Sequence, residues 1–388
     1  MTVNKTPKNS ELFHILYRLS IIPRWSDFSP KYEDSTASHS YRVAVISLLI
    51  ALTENKKYNR NLDIEKILGK AIFHDLNEVV TGPIKHSTKK NKIVQDHIRD
   101  LEKEAAVSIA ECVSESLKEH FYTYIVEAED NTPEGEIVDL ADTFDALLFS
   151  ARELQALNYF HFPQAYEQSK RRLLKSEYQS VKDLVNEFER PDSNYRKFLM
   201  TVLKMDQIKR WTGRFNTYAD NDATHTFRAA AMGFFFALYE KEKNGIEINI
   251  PRLIGKILLH DLPEAISGDV NGPVKHQSEK IKKAFEEYES SVAMEIIEWV
   301  PSYLREYIDD YIIEPKDNTP EGIRVDIVDK TDALIKSLLE MKRNSKEYEL
   351  AFKRQLGILQ TKYFDYPSVQ FFLATILHDL YFASDFEK

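Results

Sequence analysis

The sequence contains one internal duplication, and this repeat limits what the chain can fold into more than any other feature. The segment KAIFHDLNEVV (70–80) recurs as KILLHDLPEAI (256–266), 186 residues later. The hexapeptide DNTPEG occurs twice without change, at 130–135 and at 317–322. Each copy has the length of a domain, whereas the units of solenoid proteins are only about 20–50 residues long. The sequence therefore predicts two similar domains in tandem.

The boundary between the two copies is predicted near ERPDSNY (189–195), because proline, aspartate, serine and asparagine favour a break between helices. We therefore assign a first domain to residues 1–194 and a second domain to residues 195–388. The helix that follows the break, Tyr195 to Lys209, could close the first domain as well as open the second.

Apolar residues recur with the period of an α-helix before each His-Asp pair. In the first copy they stand at positions 64, 67, 68, 71 and 72, and Asp75 follows on the same face. Asp261 takes the same place in the second copy. Only 11 of the 388 residues are glycine, and no segment alternates as a half-buried strand would. We therefore predict an all-α fold of two tandem helical bundles.

Composition excludes several kinds of protein and of site. The single cysteine, Cys112, rules out a disulfide framework and a cysteine-based zinc site, and it fits the reducing cytoplasm. No apolar run approaches the roughly 20 residues of a membrane-spanning helix, and the N-terminus lacks an apolar secretory core. A formal charge of −10 argues against a nucleic-acid polymer or an anionic membrane as partner. A small anionic substrate stays compatible, because a local cationic pocket can form on an acidic protein.

Each copy directs four polar side chains inward from three apolar helix faces: a histidine, a His-Asp pair and a later aspartate. Two imidazoles and two carboxylates are typical of a site for one divalent cation, such as Mn²⁺, Co²⁺, Mg²⁺, Fe²⁺ or Zn²⁺. The candidate ligands are His39, His74, Asp75 and Asp142 in the first copy and His225, His260, Asp261 and Asp329 in the second. Asp145 and Asp332 lie one turn further along the same faces and are alternatives for the last ligand.

A third His-Asp pair, His378-Asp379, provides a comparison within the chain. The first copy has Lys204-Met205 at the corresponding positions, and no glutamate follows the third pair at the same spacing. We therefore interpret His378-Asp379 as structural. In the other two pairs a glutamate follows the aspartate after three residues, and Glu78 and Glu264 could each transfer protons beside a bound cation.

An Arg-Trp pair precedes the first histidine in both copies. Arg24 and Arg210 could bind a phosphate through two parallel hydrogen bonds, with Trp25 and Trp211 packed on a sugar or a base. The alternative is an Arg-Trp pair that caps a junction between helices.

The order His…His-Asp…Asp resembles the signature of the HD superfamily of metal-dependent phosphohydrolases. The finer pattern is similar to the bacterial 5′-deoxynucleotidases of the YfbR-like group, which carry an Arg-Trp pair near the N-terminus and a late aspartate on an apolar helix. The second copy matches through THT around His225 and through HDLPEAISGDVNGPVK (260–275). The motifs of three other HD branches, GYP, HDxxED and HDxGHGPFSH, are absent from the sequence. The two copies together cover almost the whole chain.

The resemblance implies a role for each matching residue. It implies one divalent cation per domain on the ligands named above, with Glu78 and Glu264 as the acid/base residues. The substrate-binding residues that it implies are Arg24 and Arg210 at the phosphate, Trp25 and Trp211 at the deoxyribose, Asp269 at the nucleoside end, and Lys85 and Lys275. The first copy reads TGPIKH where the second has the segment with Asp269, so its pocket is expected to differ or to have lost activity.

The function implied by the resemblance is a cytoplasmic nucleotidase that hydrolyses 2′-deoxynucleoside 5′-monophosphates with metal-activated water. Two alternatives stay open: a small dNTP triphosphohydrolase on the same site, and a nucleotide-sensing module in which one or both domains bind without turnover. Members of the group are usually dimers of single-copy chains. The tandem chain therefore resembles a covalent version of such a dimer, and it could associate further as a homodimer.

Overall fold

The computed structural model describes residues 8–89, 91–268, 278–343 and 345–382, with the backbone alone for His86 and Ser87. Within these ranges the regular structure is helical, and β-structure is limited to two isolated bridges, Pro23 with Ser35 and Lys209 with Asn221. The predicted all-α fold is confirmed.

The described helices of the first half are, in chain order, α1 (Asn9–Leu19), α2 (Thr36–Lys57), α3 (Ile64–Phe73), α4 (Glu78–Thr81), α5 (His86–Lys89), α6 (Gln95–Ala110), α7 (Lys118–Phe121), α8 (Pro133–Gln155), α9 (Phe162–Leu173) and α10 (Gln179–Glu189). A 3₁₀ turn at Glu115–Leu117 and a π-helical segment at Tyr122–Val126 flank α7.

The described helices of the second half are α11 (Asn194–Lys204), α12 (Asp222–Asn244), α13 (Ile250–Leu259), α14 (Glu264–Ser267), α15 (Glu279–Glu298), α16 (Ser302–Ile312), α17 (Pro320–Lys342), α18 (Glu349–Thr361), α19 (Pro367–Phe371) and α20 (Leu377–Phe382). Irregular helical turns lie at Met205–Gln207 and Lys346–Tyr348, and a π-helical segment at Phe372–Ile376.

The repeated hexapeptide DNTPEG fixes the start of the helix that carries the last candidate ligand. In α8 the hydroxyl of the N-cap Thr132 accepts a hydrogen bond from the Gly135 amide, and Pro133 takes the first helical position. A Cβ at Gly135 would lie 2.4 Å from the carbonyl oxygen of Asp130, so only glycine fits this turn. The ammonium of the buried Lys70 lies 2.6 Å from the Asp130 carboxylate and holds the turn against α3.

Three helices of each half form the bundle around the candidate ligands. We call the bundle of α2, α3 and α8, with the segments that precede and connect these helices in the first repeat, lobe 1. The bundle of α12, α13 and α17, with the corresponding segments of the second repeat, is lobe 2. The helices α2 and α12 pack on each other, and α2 is buried on every side from Thr36 to Glu54 because both lobes surround it. One continuous apolar core therefore extends through both lobes.

The first helix of each repeat packs against the lobe of the other repeat. Helix α1 contacts α12 and α20, and its Phe13 ring lies 5.5 Å from the ring of Phe235 and 6.1 Å from that of Phe372. Helix α11 opens the second repeat in the sequence, yet it contacts α2, α8 and α10. The domain limits at residues 194 and 195 stay a prediction, because this exchange crosses them.

Candidate active site

The His-Asp pair of lobe 1 lies in a turn, whereas periodicity had placed it on a helix face. Helix α3 ends at Phe73, His74 is its C-cap, and the chain turns before α4 begins at Glu78. The Nδ1 atom of His74 is 2.8 Å from the Ala71 carbonyl oxygen, to which it donates as N–H. The turn therefore fixes the His74 ring and directs its Nε2 atom towards α2.

The four candidate ligands of lobe 1 gather around Nε2 of His39, and His39, His74 and Asp142 lie close enough to one another to hold a metal ion. The Nε2 atom of His39 lies 3.2 Å from Nε2 of His74, 3.4 Å from Oδ2 of Asp75 and 3.2 Å from Oδ1 of Asp142. Ligand atoms that share one ion at about 2.1 Å are themselves about 3.0–3.5 Å apart. The spacing in lobe 1 therefore fits a divalent cation.

A second aspartate orients the first histidine and separates the two alternatives for the last ligand. Asp145 lies on the opposite side of the His39 ring, where its Oδ2 atom accepts a hydrogen bond of 2.7 Å from Nδ1. With the proton held on Nδ1, the lone pair of Nε2 points towards His74 and Asp142. The geometry therefore favours Asp142 over Asp145 as the ligand.

The charges of lobe 1 also fit a cation. Burial by itself would lower the pKa of His74, but the charge of Asp75 outweighs burial and raises that pKa to about 10. Burial and Arg24 lower the pKa of His39, whereas hydrogen bonds to Asp142 and Asp145 raise it by more. The carboxylates thus stabilise positive charge at the point where the four ligands meet.

Lobe 2 repeats the arrangement with longer separations. The Nε2 atom of His225 lies 3.6 Å from Oδ2 of Asp261 and 3.4 Å from Oδ1 of Asp329, and its Nδ1 atom is 2.7 Å from Oδ2 of Asp332. Nδ1 of His260 donates to the Ile257 carbonyl at 2.7 Å. Within the described part of the chain, the buried Nε2 atoms of His225 and His260 make no hydrogen bond. His225, His260 and Asp261 could together hold a metal ion.

Asp329 has cationic neighbours that Asp142 lacks. Its Oδ2 atom lies 2.7 Å from Nζ of Lys316 and 2.9 Å from Nζ of Lys330. In lobe 1, His39 is the only ion-pair partner of Asp142 among the described residues. The Asp142 side chain is 35 % exposed and that of Asp329 15 %, so the last carboxylate is more accessible in lobe 1.

The predicted arginine and glutamate both lie beside the ligands in lobe 1. An Nη1 atom of Arg24 lies 3.1 Å from Oδ2 of Asp75. Glu78 is buried, and its Oε2 atom accepts a hydrogen bond of 2.7 Å from the Thr36 hydroxyl. Burial and then the charge of Asp75 raise the pKa of Glu78. The two residues therefore flank the point of convergence.

In lobe 2 the arginine has a different set of partners. One Nη1 atom of Arg210 lies 3.1 Å from Asp222 and 3.2 Å from Asp261. Asp222 stands where lobe 1 has Thr36, at an offset of 186 residues. Glu264 begins α14 and is half-buried beside Asp261 and Asp222. Arg210 is therefore shared between two carboxylates.

The two tryptophans occupy left-handed turns next to the sites. Trp25 has φ 59° and Trp211 has φ 58°, a region that non-glycine residues rarely adopt. The backbone hydrogen bond from Arg24 to Asp34 ties the first turn to the start of α2. The Trp25 ring stacks on Phe149 at 5.2 Å, whereas Trp211 packs on Tyr348 at 5.3 Å.

The structure does not bring every predicted residue to the cluster. Lys85 is exposed, and its ammonium lies 3.7 Å from Asp27. Asp269 and Lys275 lie outside the described residues. The third pair, His378-Asp379, is on the surface, with side chains 62 % and 42 % exposed.

A buried arginine network behind each site was not predicted. Arg42 pairs with Asp145 at 2.5 Å and reaches Asp34 and Asp206 at 2.9 and 3.1 Å. Arg228 pairs with Asp332 at 2.7 Å, and the Tyr17 hydroxyl of α1 donates to the same aspartate at 2.6 Å. The sequence does contain a signal for this network: an arginine follows the first histidine of each copy after three residues.

The chain matches one protein family along most of its length. The family model described as "5′-deoxynucleotidase YfbR-like" matches residues 11–191 and again residues 197–380. A 5′-deoxynucleotidase of Vibrio atlanticus is 31 % identical over 167 residues, which are 43 % of this chain and 84 % of the relative. A 5′-deoxynucleotidase of an Enterobacter species is 32 % identical over 151 residues, 38 % of this chain and 75 % of the relative.

Solved structures include an HD-domain phosphohydrolase from Listeria innocua that is 28 % identical to this chain. The match covers 48 % of this chain and 88 % of that protein, with a TM-score of 0.45. Among the described helices, none is both long and apolar enough to cross a membrane.

Proposed function

The chain belongs to the YfbR-like 5′-deoxynucleotidase family, and from this premise we propose that lobe 1 hydrolyses 2′-deoxynucleoside 5′-monophosphates with the help of one divalent cation. The observation that carries the proposal is the convergence of His39, His74, Asp75 and Asp142, with nitrogen and oxygen atoms 3.2–3.4 Å from Nε2 of His39. Membership of the family supports a nucleotide phosphohydrolase, and we propose in addition that it prefers 2′-deoxynucleotides.

The ligand set determines what a cation would do here. His39 and His74 would bind through Nε2, and Asp75 and Asp142 through one carboxylate oxygen each. A divalent cation on such ligands lowers the pKa of a water molecule and polarises a phosphoryl oxygen. Mn²⁺, Co²⁺, Fe²⁺, Mg²⁺ and Zn²⁺ all accept mixed nitrogen and oxygen ligands.

Residues of lobe 1 supply the remaining requirements of phosphate-ester hydrolysis. Arg24 is held beside Asp75 and can donate hydrogen bonds to two phosphate oxygens, which stabilises charge as the ester bond breaks. Glu78 is positioned by Thr36 and can pass a proton to the leaving 5′ oxygen. The products are then inorganic phosphate and a deoxynucleoside with a free 5′ hydroxyl.

We propose that Trp25 forms the wall against the deoxyribose. Its ring is fixed by stacking on Phe149 at an interplanar angle of 4° and by contact with Phe28. A rigid aromatic wall would leave room for a sugar without the 2′ hydroxyl. In this proposal the two lobes correspond to the two subunits of a dimer, and the chain works in the cytoplasm on a small nucleotide.

Phosphate release tests the proposed function. We would assay the intact chain with dNMPs, NMPs and dNTPs after removal of metal by EDTA and after addition of Mn²⁺, Co²⁺ or Mg²⁺. We expect metal-dependent release of inorganic phosphate from dNMPs. His74→Ala should reduce it to the level without metal, whereas His378→Ala, which alters the surface His-Asp pair, should leave it unchanged.

The same assay distinguishes the alternatives. Release of inorganic triphosphate from dNTPs would identify a triphosphohydrolase instead. Absence of turnover with every nucleotide and metal would contradict the proposal and favour a lobe that binds nucleotides without cleaving them.

A further inference from the structure

The two lobes share their candidate ligands, but three of the nearby positions that differ between them change charge. At offsets of 186 and 187 residues, lobe 2 has Asp222 in place of Thr36, Lys316 in place of Glu129 and Lys330 in place of Thr143. Lys316 and Lys330 are the two cations that lie against Asp329. Two of the three replacements therefore concern the last candidate ligand directly.

Two lysines already neutralise the carboxylate of the last candidate ligand in lobe 2. Both ammonium groups contact the same Oδ2 atom of Asp329, at 2.7 and 2.9 Å, while its Oδ1 atom lies 3.4 Å from His225. A divalent cation bound through Oδ1 would lie beside two ammonium groups that already balance the charge of the same carboxylate, and it would be repelled by both.

Lobe 1 has a carboxyl group instead of an ammonium group at the matching place, because Glu129 stands where lobe 2 has Lys316. Thr143 is neutral and donates its hydroxyl to the Asp139 carbonyl at 2.9 Å. Among the described residues no lysine pairs with Asp142, whose one ion-pair partner is His39.

The three replacements make the surroundings of the lobe 2 ligands more positive. By formal charge, glutamate to lysine adds two positive units, threonine to lysine adds one, and threonine to aspartate removes one. The ligands are also further apart in lobe 2. The centroids of the two histidine rings are 5.2 Å apart in lobe 1 and 5.8 Å apart in lobe 2.

We propose that lobe 2 takes no divalent cation, because the ammonium groups of Lys316 and Lys330 supply the positive charge that a cation supplies in lobe 1. The chain then binds one cation, in lobe 1, and lobe 2 is not hydrolytic. This replaces the expectation of one cation per domain. The inference concerns metal occupancy and does not depend on which nucleotide lobe 1 cleaves.

Metal stoichiometry of the intact chain tests the inference. Protein stripped with EDTA would be loaded with excess Mn²⁺, passed through a desalting column and analysed by inductively coupled plasma mass spectrometry. We expect one ion per chain in the wild type, none in His74→Ala and one in His260→Ala. Two ions per wild-type chain, or loss of the ion in His260→Ala alone, would overturn the proposal.

Exchange of the charged residues between lobes tests the role of the lysines. The double variant Lys316→Glu/Lys330→Thr gives lobe 2 the residues of lobe 1, and we expect it to bind two ions. The reciprocal variant Glu129→Lys/Thr143→Lys should bind none. Circular dichroism and thermal unfolding would verify that each variant is folded. A folded Lys316→Glu/Lys330→Thr variant that still binds one ion would overturn the assigned role.

Metal binding and turnover are measured separately, so the two proposals can fail independently. One Mn²⁺ per chain without phosphate release would support the occupancy inference and remove the proposed nucleotidase function. Phosphate release with two ions per chain would support the proposed nucleotidase function and overturn the occupancy inference.

Discussion

His39 depends on a residue that is not part of the ligand set. Its Nδ1 atom donates to Asp145, and Asp145 in turn accepts from Arg42, with all three side chains at most 1 % exposed. A metal-binding imidazole is most effective when its second nitrogen is held in this way. The buried Asp145–Arg42 pair at Nδ1 is therefore expected to determine how well Nε2 of His39 can bind a cation.

We expect Asp145→Asn to weaken Mn²⁺ binding by about 10–100-fold, the range measured when such an orienting partner is altered. Asparagine has the size of aspartate but lacks the negative charge of Asp145, which both Arg42 and His39 contact. Isothermal titration with Mn²⁺ would measure the effect.

Asp139→Asn on the same helix is the control, because Asp139 forms a surface ion pair with Arg172. Its Mn²⁺ affinity should match the wild type. Equal affinities in Asp145→Asn and in wild type would show that the hydrogen bond to Nδ1 does not tune the site.

At the scale of single residues, the sequence predicted which side chains meet. It did not predict on which side of the His39 ring each aspartate lies. Asp142 and Asp145 lie one turn apart on one face of a helix, so periodicity could not separate them. The ion pairs of Asp329 could not be predicted either, because Lys316 lies 13 positions earlier in the chain. Aligning the two repeats would have shown the change from Glu129 to lysine, but not what the lysine contacts.

At the scale of elements, a glycine sets the approach of α3 to the π-helical segment at Tyr122–Val126. A Cβ at Gly69 would lie 2.6 Å from the ring of Tyr124, and Gly255 has the same relation to Tyr311 in lobe 2. The helix that ends at His74 can therefore lie close to its neighbour only without a side chain at this position. The close approach fixes where the His-Asp turn emerges.

We expect Gly69→Ala to lower the free energy of unfolding by about 1–3 kcal/mol, the usual cost of overpacking a core. Urea unfolding followed by circular dichroism would measure the change. Gly357→Ala is a matched control, because Gly357 lies within α18 and a Cβ there has no atom within 4 Å.

The control should be neutral or stabilising by up to about 1 kcal/mol, since alanine favours helix over glycine. A Gly69→Ala protein as stable as the wild type would mean that Tyr124 moves aside without cost.

Helices and their duplication followed from the sequence, but helix ends at the sites did not. The apolar period continues from position 64 to Asp75, and only the structure shows that α3 stops at Phe73. The reason is local: the His74 ring bonds the Ala71 carbonyl, and this contact competes with continuation of the helix.

Across the whole molecule, the exchanged first helices pack the two lobes onto one continuous core. Phe13 of α1 packs among Phe235, Phe236 and Phe372 in the second half, and Tyr17 donates to Asp332 behind the second site. No periodic pattern could reveal this exchange, because an amphipathic helix presents the same apolar face to either bundle.

We expect Phe13→Ala to lower the unfolding free energy by about 3–5 kcal/mol and to keep a single transition, because the core is continuous. Urea titration would measure the loss of unfolding free energy. Calorimetry, and urea titration followed at several wavelengths, would show whether unfolding keeps a single transition. Phe215→Ala, at a side chain 85 % exposed, should change stability by less than about 0.5 kcal/mol.

Two separate transitions in the wild type would contradict a shared core. A Phe13→Ala effect confined to one of them would show that α1 stabilises a single lobe.

The exchange of α1 and α11 also affects how this chain can evolve. In a dimer of identical chains, one gene encodes both sites, so a substitution beside one metal ligand changes both. Here the residues around His39 and those around His225 are encoded separately, and lysines can accumulate at one site alone. If lobe 2 is not hydrolytic, as we propose, selection would still retain the second half, because its helix α11 packs on α2 and α8 of the first half. Under that proposal, gene fusion would turn a redundant site into a structural support that is free to acquire another ligand.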